Sequence, residues 1–554
     1  MPDTMFTTIE TAIKETAAVT DALLMEGGEH ADLATTVAFS LAKAKKQAPV
    51  KIAQDLVADL KKRPELAGIT IDAKGPYINF IFGKEYVSNV IRAAVQPGYG
   101  NLPKKSQRVV LEHTSANPNG PLHVGHIRNS IIGDTLARAF RKAGYPLEVQ
   151  YYVNDMGRQI AIVVWAFDNL DPAQNPGEKE DAHIARLYIA ANREIEKDET
   201  ITQQVNVLMQ LVENGDPATV KKFRKEVSRC LDGFKVTMKD LSVAHDRFVW
   251  ESDFIRNGNT ERVINKLKRM PQAHEDETLY LDLSEFGFEN KYVIRRSDGT
   301  SVYAARDLAF HAWKGANFDR VIDVLGADHK LIGAQLQATM KILGEKSPEI
   351  VFFEFVSLPE GSMSTRAGKF VSADDLIAEI RKRAFDEVTT RRPELPEEER
   401  KEIARSVGLA AIRYDIVKVS PEKSTVFDWK EALDFERQSG PYIQYAHARA
   451  CSILEKAGDF SECFDLETEQ EIALAKQIAR FPGIIEKVVA ELRPNILAIY
   501  ARELADTFNT FYHYEQVLKS EGKVRDRRLT LVKALQNTLK ESLQTLGIDA
   551  IQSM

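Results

Sequence analysis

Residues 109–126 read Val109-Val-Leu-Glu-His-Thr-Ser-Ala-Asn-Pro-Asn-Gly-Pro-Leu-His-Val-Gly-His126, and an amphipathic segment follows directly. Val109 to Leu111 is an apolar run of the kind that makes a buried strand. A polar Asn/Pro/Gly loop then leads into Ile127 to Ala143, where Ile131, Ile132, Leu136 and Phe140 share one helical face. The spacing predicts strand, loop, helix, with His123 and His126 on the first helical turn. Backbone N–H groups there have no intrahelical partner, and a polyphosphate binds most readily beside them. Gly125 removes a side chain where a ligand approaches the backbone. The two imidazoles can donate to phosphate oxygens as negative charge grows there. Taken alone, two polar residues filling a helical first turn explain the pair as well. Zinc does not: no carboxylate or cysteine accompanies the histidines at ligand spacing, so no metal site is assigned.

Outward from this stretch, Leu147 to Val153 is a second strand, and strand–helix–strand predicts parallel pairing through a right-handed crossover. Asp155 and Gln159 fall just past it, at the ligand edge of an open parallel sheet. Residues 165–250 are more charged and read as a mostly helical insertion. Strand signals resume at Thr278 to Leu283, Tyr292 to Arg295, Val321 to Leu325 and Ile350 to Phe355. The expected fold is multidomain α/β plus all-α, with a Rossmann-type parallel-sheet core over 106–375. An N-terminal α/β module occupies 1–105, with helical periodicity at Ile9 to Leu24 and Leu33 to Ala44 and an alternating strand at Tyr77 to Phe82. Gly98 to Lys105 reads as a linker. A helical bundle fills 376–554, from patterns over Glu398–Val419, Gly440–Lys456, Glu469–Ala490, Asn495–Leu518 and Arg525–Leu546. Pro482-Gly483 is expected to break the third.

A chain of 554 residues is too long for one core. A net charge of -7 gives no global attraction to nucleic acid, so any such surface must be a local basic patch. The three cysteines, Cys230, Cys451 and Cys463, form no C-x-x-C pair. That excludes a zinc knuckle and suits a reducing cytosol. No apolar run approaches the ~18 residues of a membrane span, and the N-terminus lacks a signal-peptide layout. A cytoplasmic protein with no membrane partner is expected.

A second cluster, Ser362-Met363-Ser364-Thr365-Arg366-Ala367-Gly368-Lys369, follows a strand and a Pro359-Glu360-Gly361 turn. Small hydroxyl residues beside two cations can wrap a triphosphate, although alone this would read as a solvated basic loop. Together, H-x-G-H and M-S-x-R around an α/β sheet resemble a class I aminoacyl-tRNA synthetase. The longer run from Glu112 to Asn129 resembles arginyl-tRNA synthetase, of archaeal rather than bacterial type. So do Tyr151-Tyr-Val-Asn-Asp-Met-Gly-Arg-Gln159, Tyr303-Ala-Ala-Arg-Asp307, Ser439-Gly-Pro-Tyr-Ile-Gln-Tyr-Ala-His-Ala-Arg449 and Gly75-Pro-Tyr-Ile-Asn-Phe80. The resemblance spans essentially the whole chain.

It implies ATP-dependent activation of L-arginine to arginyl-adenylate, then transfer to the 3′ end of tRNA(Arg) by a monomer. Carried over by motif position, Glu112, Ser115, Asn117, Tyr303, Asp307 and His329 bind arginine. His123, Gly125, His126, Asn129, Met363 and Ser364 bind ATP. His123, His126, Arg366 and Lys369 stabilise the transition state, and Asp155 and Gln159 lie near the substrate amino group or ribose. A guanidinium is a planar fork that a carboxylate accepts bidentately, and Asp307 suits it. A pocket built for that fork leaves acceptors unpaired with a neutral substrate, which discriminates by on the order of 10⁴-fold. Mg²⁺ is expected through ATP oxygens, without a dedicated protein cage. Tyr442, Tyr445, His447 and Arg449 would meet the anticodon stem and loop by stacking and phosphate contact. At helical spacing the tyrosines can equally be core. Tyr77 and Asn79 would meet the tRNA elbow.

Two departures stand out. The family's loop usually opens on a lysine, where this chain has Ser362, and some members compensate with a lysine shortly before the first histidine, where this chain has Gly120. Arg366, Lys369 or a cation from elsewhere in the chain is left to compensate. At His329 many relatives carry Gln. A tRNA-binding paralogue without activity and an RNA-independent nucleotidyltransferase are the competing readings. The intact histidine pair argues against the first and the helical domain against the second.

Overall fold

Val109–Glu112 (β1) is buried at all four positions, as an uninterrupted apolar run in a doubly covered sheet requires. It is the centre of a five-stranded parallel sheet with Leu147–Val153 (β2), Arg247–Trp250 (β3), Arg320–Gly326 (β4) and Glu349–Phe353 (β5), in the order β5-β4-β1-β2-β3. The chain leaves β1 in one direction and returns on its other side, so the topological switch point lies between β1 and β4. In open parallel sheets that is where ligands bind. Glu112 and Asp323 are register partners across it. This computed structural model describes residues 5–28, 31–297, 302–357 and 372–554.

β3 falls inside the stretch expected to be a helical insertion. It is a four-residue edge strand opening on an exposed Arg247, too short and too polar to carry a periodic signal. The helices Glu180–Lys197, Thr200–Glu213 and Pro217–Asp240 make up the rest of that stretch. The signals at 278–295 do not continue the parallel sheet. With Ala273–Glu275 they form a separate three-stranded antiparallel sheet, Leu279–Leu281 pairing with Tyr292–Arg295. The ten residues between these two strands cannot hold the crossover helix that parallel pairing needs.

The sheet belongs to a compact unit of Lys105–Arg141 and Tyr145–Leu433. The helices Ala373–Arg391 and Glu397–Val417, expected to open the helical domain, pack within it. Fully buried Arg413 donates to Asp134 at 2.6 Å and to the Leu241 carbonyl at 2.7 Å, tying the second helix to the core.

A second unit comprises Met1–Lys104, Lys142–Gly144 and Asp434–Met554. Its N-terminal module holds a four-stranded antiparallel sheet of Leu24–Glu26, Leu33–Thr35, Tyr77–Phe82 and Ile69–Lys74. The expected helices there run shorter, over Met5–Ala17 and Val37–Lys45. The module packs on the helices of 434–554. Thr7 donates to Glu486 at 2.7 Å, and Asn537 donates to the carbonyls of Ala94 and Val95. The helical break predicted at Pro482 falls at Arg480, between Glu469–Ala479 and Phe481–Glu491. Proline fits the first turn of the following helix, where its missing N–H costs nothing.

Candidate active site

The loop leaving β1 turns through two consecutive non-glycine residues at positive φ, Thr114 (70°) and Ser115 (39°). That conformation is costly for residues with a side chain and persists only where surroundings hold it. Asn129 accepts the Thr114 N–H at 2.7 Å and donates to the Val324 carbonyl of β4 at 3.0 Å. Ser115 donates to Glu112 at 2.9 Å and accepts the Tyr152 N–H of β2 at 3.0 Å. Ser115 and Asn129, expected to touch substrates, are thus engaged in shaping the loop. Asn117 is exposed, its amide 3.2 Å from that of Asn154.

The loop delivers His123 and His126 to the start of the helix Val124–Lys142. Their rings stack at 3.6 Å. The backbone N–H of each donates to Nδ1 of the other, at 3.2 and 3.4 Å. With both Nδ1 atoms accepting, the protons lie on the Nε2 atoms, where they serve as donors. Burial lowers the pKa of His123, and burial together with the His123 ring pushes His126 down to about 3. The pair is therefore neutral before an anion arrives. A Cβ at position 125 would lie 2.8 Å from His123 Cε1, so the glycine is required by the folded-back ring itself. Ser372 forms an isolated antiparallel bridge with His123, and the Ala373 N–H donates to the Leu122 carbonyl at 2.7 Å. Ser372 and Ala373 are thereby held beside the histidines. Met363, Ser364, Arg366 and Lys369 themselves lie outside the described residues.

Glu112 does not face open solvent. The ammonium of Lys314, fully buried, donates to it and to Asp323 at 2.7 Å. His311 joins the same cluster, its Nε2 2.8 Å from Asp323 and its Nδ1 2.9 Å from the Asp307 carbonyl and 3.1 Å from the Asp307 carboxylate. Both ring nitrogens face oxygens, which demands an imidazolium. Burial and Lys314 oppose that charge, but Asp307 and Asp323 outweigh them and lift His311 to about 10. Glu112, His311 and Asp323 converge as metal ligands would. Lys314 Nζ already supplies the cation there, so the cluster does not fit an added ion.

Asp307 and Tyr303 sit on the first turns of the helix Tyr303–Asn317. The Tyr303 ring is 46% exposed. Burial at its hydroxyl, with the charges of Asp307, Glu251 and Glu112, holds the phenol proton in place. Asp155, expected near the substrate, is only 1% exposed. It accepts from the Ser252 N–H at 2.9 Å and the Ser252 hydroxyl at 2.5 Å, fixing the helix that starts at Glu251. Gln159 is exposed on its helix, and His329 is exposed beside Asp328 at the end of β4. Sequence reading missed Glu251, which is fully buried and paired with Arg306; burial pushes its carboxyl up to about 7. It also missed His311 and Lys314. Their spacing from Asp307, four then three, marks one helical face and was the available signal.

In the helical domain, Ser439 caps Gly440–Ala457. Tyr442 is buried, donating to Asp506 at 2.6 Å and accepting from Asn509 at 2.8 Å. His447 is buried against the Ile551 carbonyl at 2.9 Å. Both are core residues of the bundle and present no face for a base. Tyr445 is 45% exposed, and the Arg449 guanidinium lies 4.3 Å over the Tyr512 ring. Among the described residues no helix is long and apolar enough to cross a membrane.

A parallel sheet with a neutral histidine pair and a carboxylate cluster at its switch point, followed by a helical domain, has the plan of a class I aminoacyl-tRNA synthetase. Residues 87–429 match the family model for the catalytic domain of class I tRNA synthetases (R), and residues 443–554 match the DALR anticodon binding domain. Residues 4–82 match the arginyl tRNA synthetase N terminal domain. The chain is 76% identical over 550 residues to an arginine–tRNA ligase of Methanoregula boonei, covering 99% of each chain. It is 52% identical to that of Methanosarcina acetivorans, covering 96% of this chain and 95% of that one. The structure of Thermus thermophilus arginyl-tRNA synthetase superposes with a TM-score of 0.88 at 30% identity, covering 99% of this chain and 100% of that one. The chain belongs to the arginyl-tRNA synthetase family.

Proposed function

We propose that the carboxyl edge of the parallel sheet is where this arginine–tRNA ligase joins its three substrates, ATP, arginine and tRNA. The observation that carries the reading is the juxtaposition, at one switch point, of a carboxylate cluster with a pair of Nε2–H donors. Asp307, Glu112 and the Tyr303 hydroxyl take the guanidinium, and Asn117 and His329 line its approach. His123 and His126 donate to ATP phosphate oxygens, and Arg366 or Lys369 supplies the compensating cation.

The arginine carboxylate attacks the α-phosphorus in line and diphosphate leaves. No protein nucleophile or general base is needed, because the attacking group is already an anion. The 3′-terminal ribose hydroxyl of tRNA(Arg) then attacks the carbonyl of the adenylate, and AMP leaves. Catalysis is positioning plus stabilisation of charge on the phosphate oxygens. The histidine pair suits this, since Nε2–H donors already fixed in orientation strengthen their bonds as charge grows on the oxygens. Mg²⁺ would be carried by ATP oxygens and neutralise charge there, because the one convergent ligand cluster among the described residues is filled by Lys314. Tyr445 and Arg449 remain as surface groups for unpaired RNA. The chain acts as a cytoplasmic monomer.

Arginine-dependent ATP–diphosphate exchange by the full chain, with and without tRNA, tests this reading. Exchange that requires both arginine and tRNA is expected. No exchange with all substrates present would leave a tRNA-binding paralogue, and full exchange without tRNA would contradict the tRNA requirement for activation that the family resemblance implies.

A further inference from the structure

Two carboxylates that the reading above gives to the guanidinium are each tied to a buried cation. Glu112 is held by Lys314, and Asp307 by His311. Both cations converge on Asp323, Lys314 at its Oδ1 and His311 at its Oδ2. The arrangement has a reason in the sheet. Glu112 and Asp323 are register partners on neighbouring strands, where two like charges side by side repel. Asp323 is 2% exposed and Lys314 not exposed at all, so water screens neither. Lys314 reaches between them from the helix that carries Asp307, and His311 lies one turn before it.

The charges within this cluster do not balance. Three carboxylates, Glu112, Asp307 and Asp323, face two cations. One negative charge is left over when all three carboxylates are ionised and the neighbouring Glu251–Arg306 pair compensates itself. A buried surplus charge is costly until a partner neutralises it, and a substrate guanidinium supplies one positive charge.

From this geometry we infer that Lys314 and Asp323 are positioning residues for arginine: they hold Glu112 and, through His311, Asp307, and they set the cluster one positive charge short, so that the substrate completes it. The inference rests on the arginine-site reading and deepens it. It makes selection of a cationic side chain a property of the charge count as well as of the two contacting carboxylates. A neutral isostere such as citrulline can fill the space but leaves the surplus charge in place.

The test is arginine-dependent ATP–diphosphate exchange by the full chain with tRNA present, comparing Lys314→Met, Asp323→Asn and the double variant. Each single change moves the charge count by one, in opposite directions, and the double restores it. Each single variant should raise KM for arginine by about tenfold or more with KM for ATP nearly unchanged. The double should lie closer to wild type than either. A pH profile adds a readout that loss of packing would not move. In Lys314→Met, Glu112 keeps the Ser115 hydroxyl as a donor but loses its ammonium partner beside Asp323, with His311 and the Tyr303 hydroxyl the other groups near it, so it keeps its proton to higher pH. KM for arginine in that variant should fall more steeply with rising pH than in the wild type. Should Lys314→Met fail to fold, Asp323→Asn against the double still carries the comparison. Joint rises in the arginine and ATP KM values, or a double variant no better than its parents, would overturn the inference. Glu112→Gln separates the two levels. If it raises KM for arginine while Lys314→Met does not, only this inference falls; if it leaves KM unchanged, the arginine site itself is misassigned.

Discussion

Replacing Gly125 by alanine isolates what the stacked histidines contribute. The new Cβ would sit 2.8 Å from His123 Cε1 and 3.0 Å from its Nδ1. Ordinary contact begins near 3.4 Å, so the ring must retreat by roughly 0.6 Å, and a misplacement of that order can cost about 10²-fold in rate. Retreat also opens the 3.6 Å stack and breaks the exchange of backbone N–H bonds that orients both Nε2 protons. Loss of one such donor to a developing oxyanion typically costs about 10²–10³-fold in kcat, or roughly 3 to 4 kcal/mol. Position 125 lies inside the helix Val124–Lys142 with no positive φ, where alanine is favoured over glycine by about 0.5–1 kcal/mol. Folding should therefore hold or improve. In ATP–diphosphate exchange with tRNA, kcat should fall by about 10²-fold with KM for arginine nearly unchanged and the thermal midpoint at or above wild type. An unchanged kcat would refute the role given to the pair, and so would a rise in arginine KM as large as the loss in kcat.

Three further outcomes are expected. Arg413→Met removes the guanidinium that pairs with Asp134 at 2.6 Å and should destabilise the sheet-containing unit by about 3 kcal/mol. Tryptophan-monitored urea unfolding reads this directly, because Trp165, Trp250, Trp313 and Trp429 all lie in that unit. Burial raises the folded pKa of Glu251 to about 7, above the ordinary carboxylate range, so its ionisation penalises the folded state increasingly as pH rises from that range to about 7. Glu251→Gln should therefore gain on the wild type by about 2 kcal/mol in the same assay between about pH 5 and pH 8; a pH-independent difference would contradict the assignment. Lys369→Ala should slow adenylate formation in single-turnover exchange more than it raises KM for arginine, and equal losses in both would remove Lys369 as the compensating cation.

The strand–loop–helix around residues 109–142 was legible because a fully buried strand and a one-sided helix impose different periods on the chain. The Arg247–Trp250 strand was not, since an edge strand of four residues has neither a long apolar run nor a clean alternation. The 278–295 hairpin was visible as strands, but its membership in a separate sheet depends on a connection too short for a helix. Within the site, residue type and spacing led to the histidines, and the family resemblance led to Asp307 and Tyr303. Glu112 was found too, yet its binding of Lys314 was hidden, because that contact exists only once β1 and β4 pair with Glu112 beside Asp323. Asp155, Tyr442 and His447 show the reverse case. Their chemistry suits ligands, but burial commits each to an internal partner, and no local pattern distinguishes the two fates.

The most direct test of the account is KM for arginine in Asp307→Asn, measured by ATP–diphosphate exchange with tRNA. Losing the half-buried charge that faces the guanidinium should raise it by on the order of 10²-fold while KM for ATP stays close to wild type. An unchanged arginine KM, or equal rises for arginine and ATP, would contradict the placement of the guanidinium at this edge of the sheet.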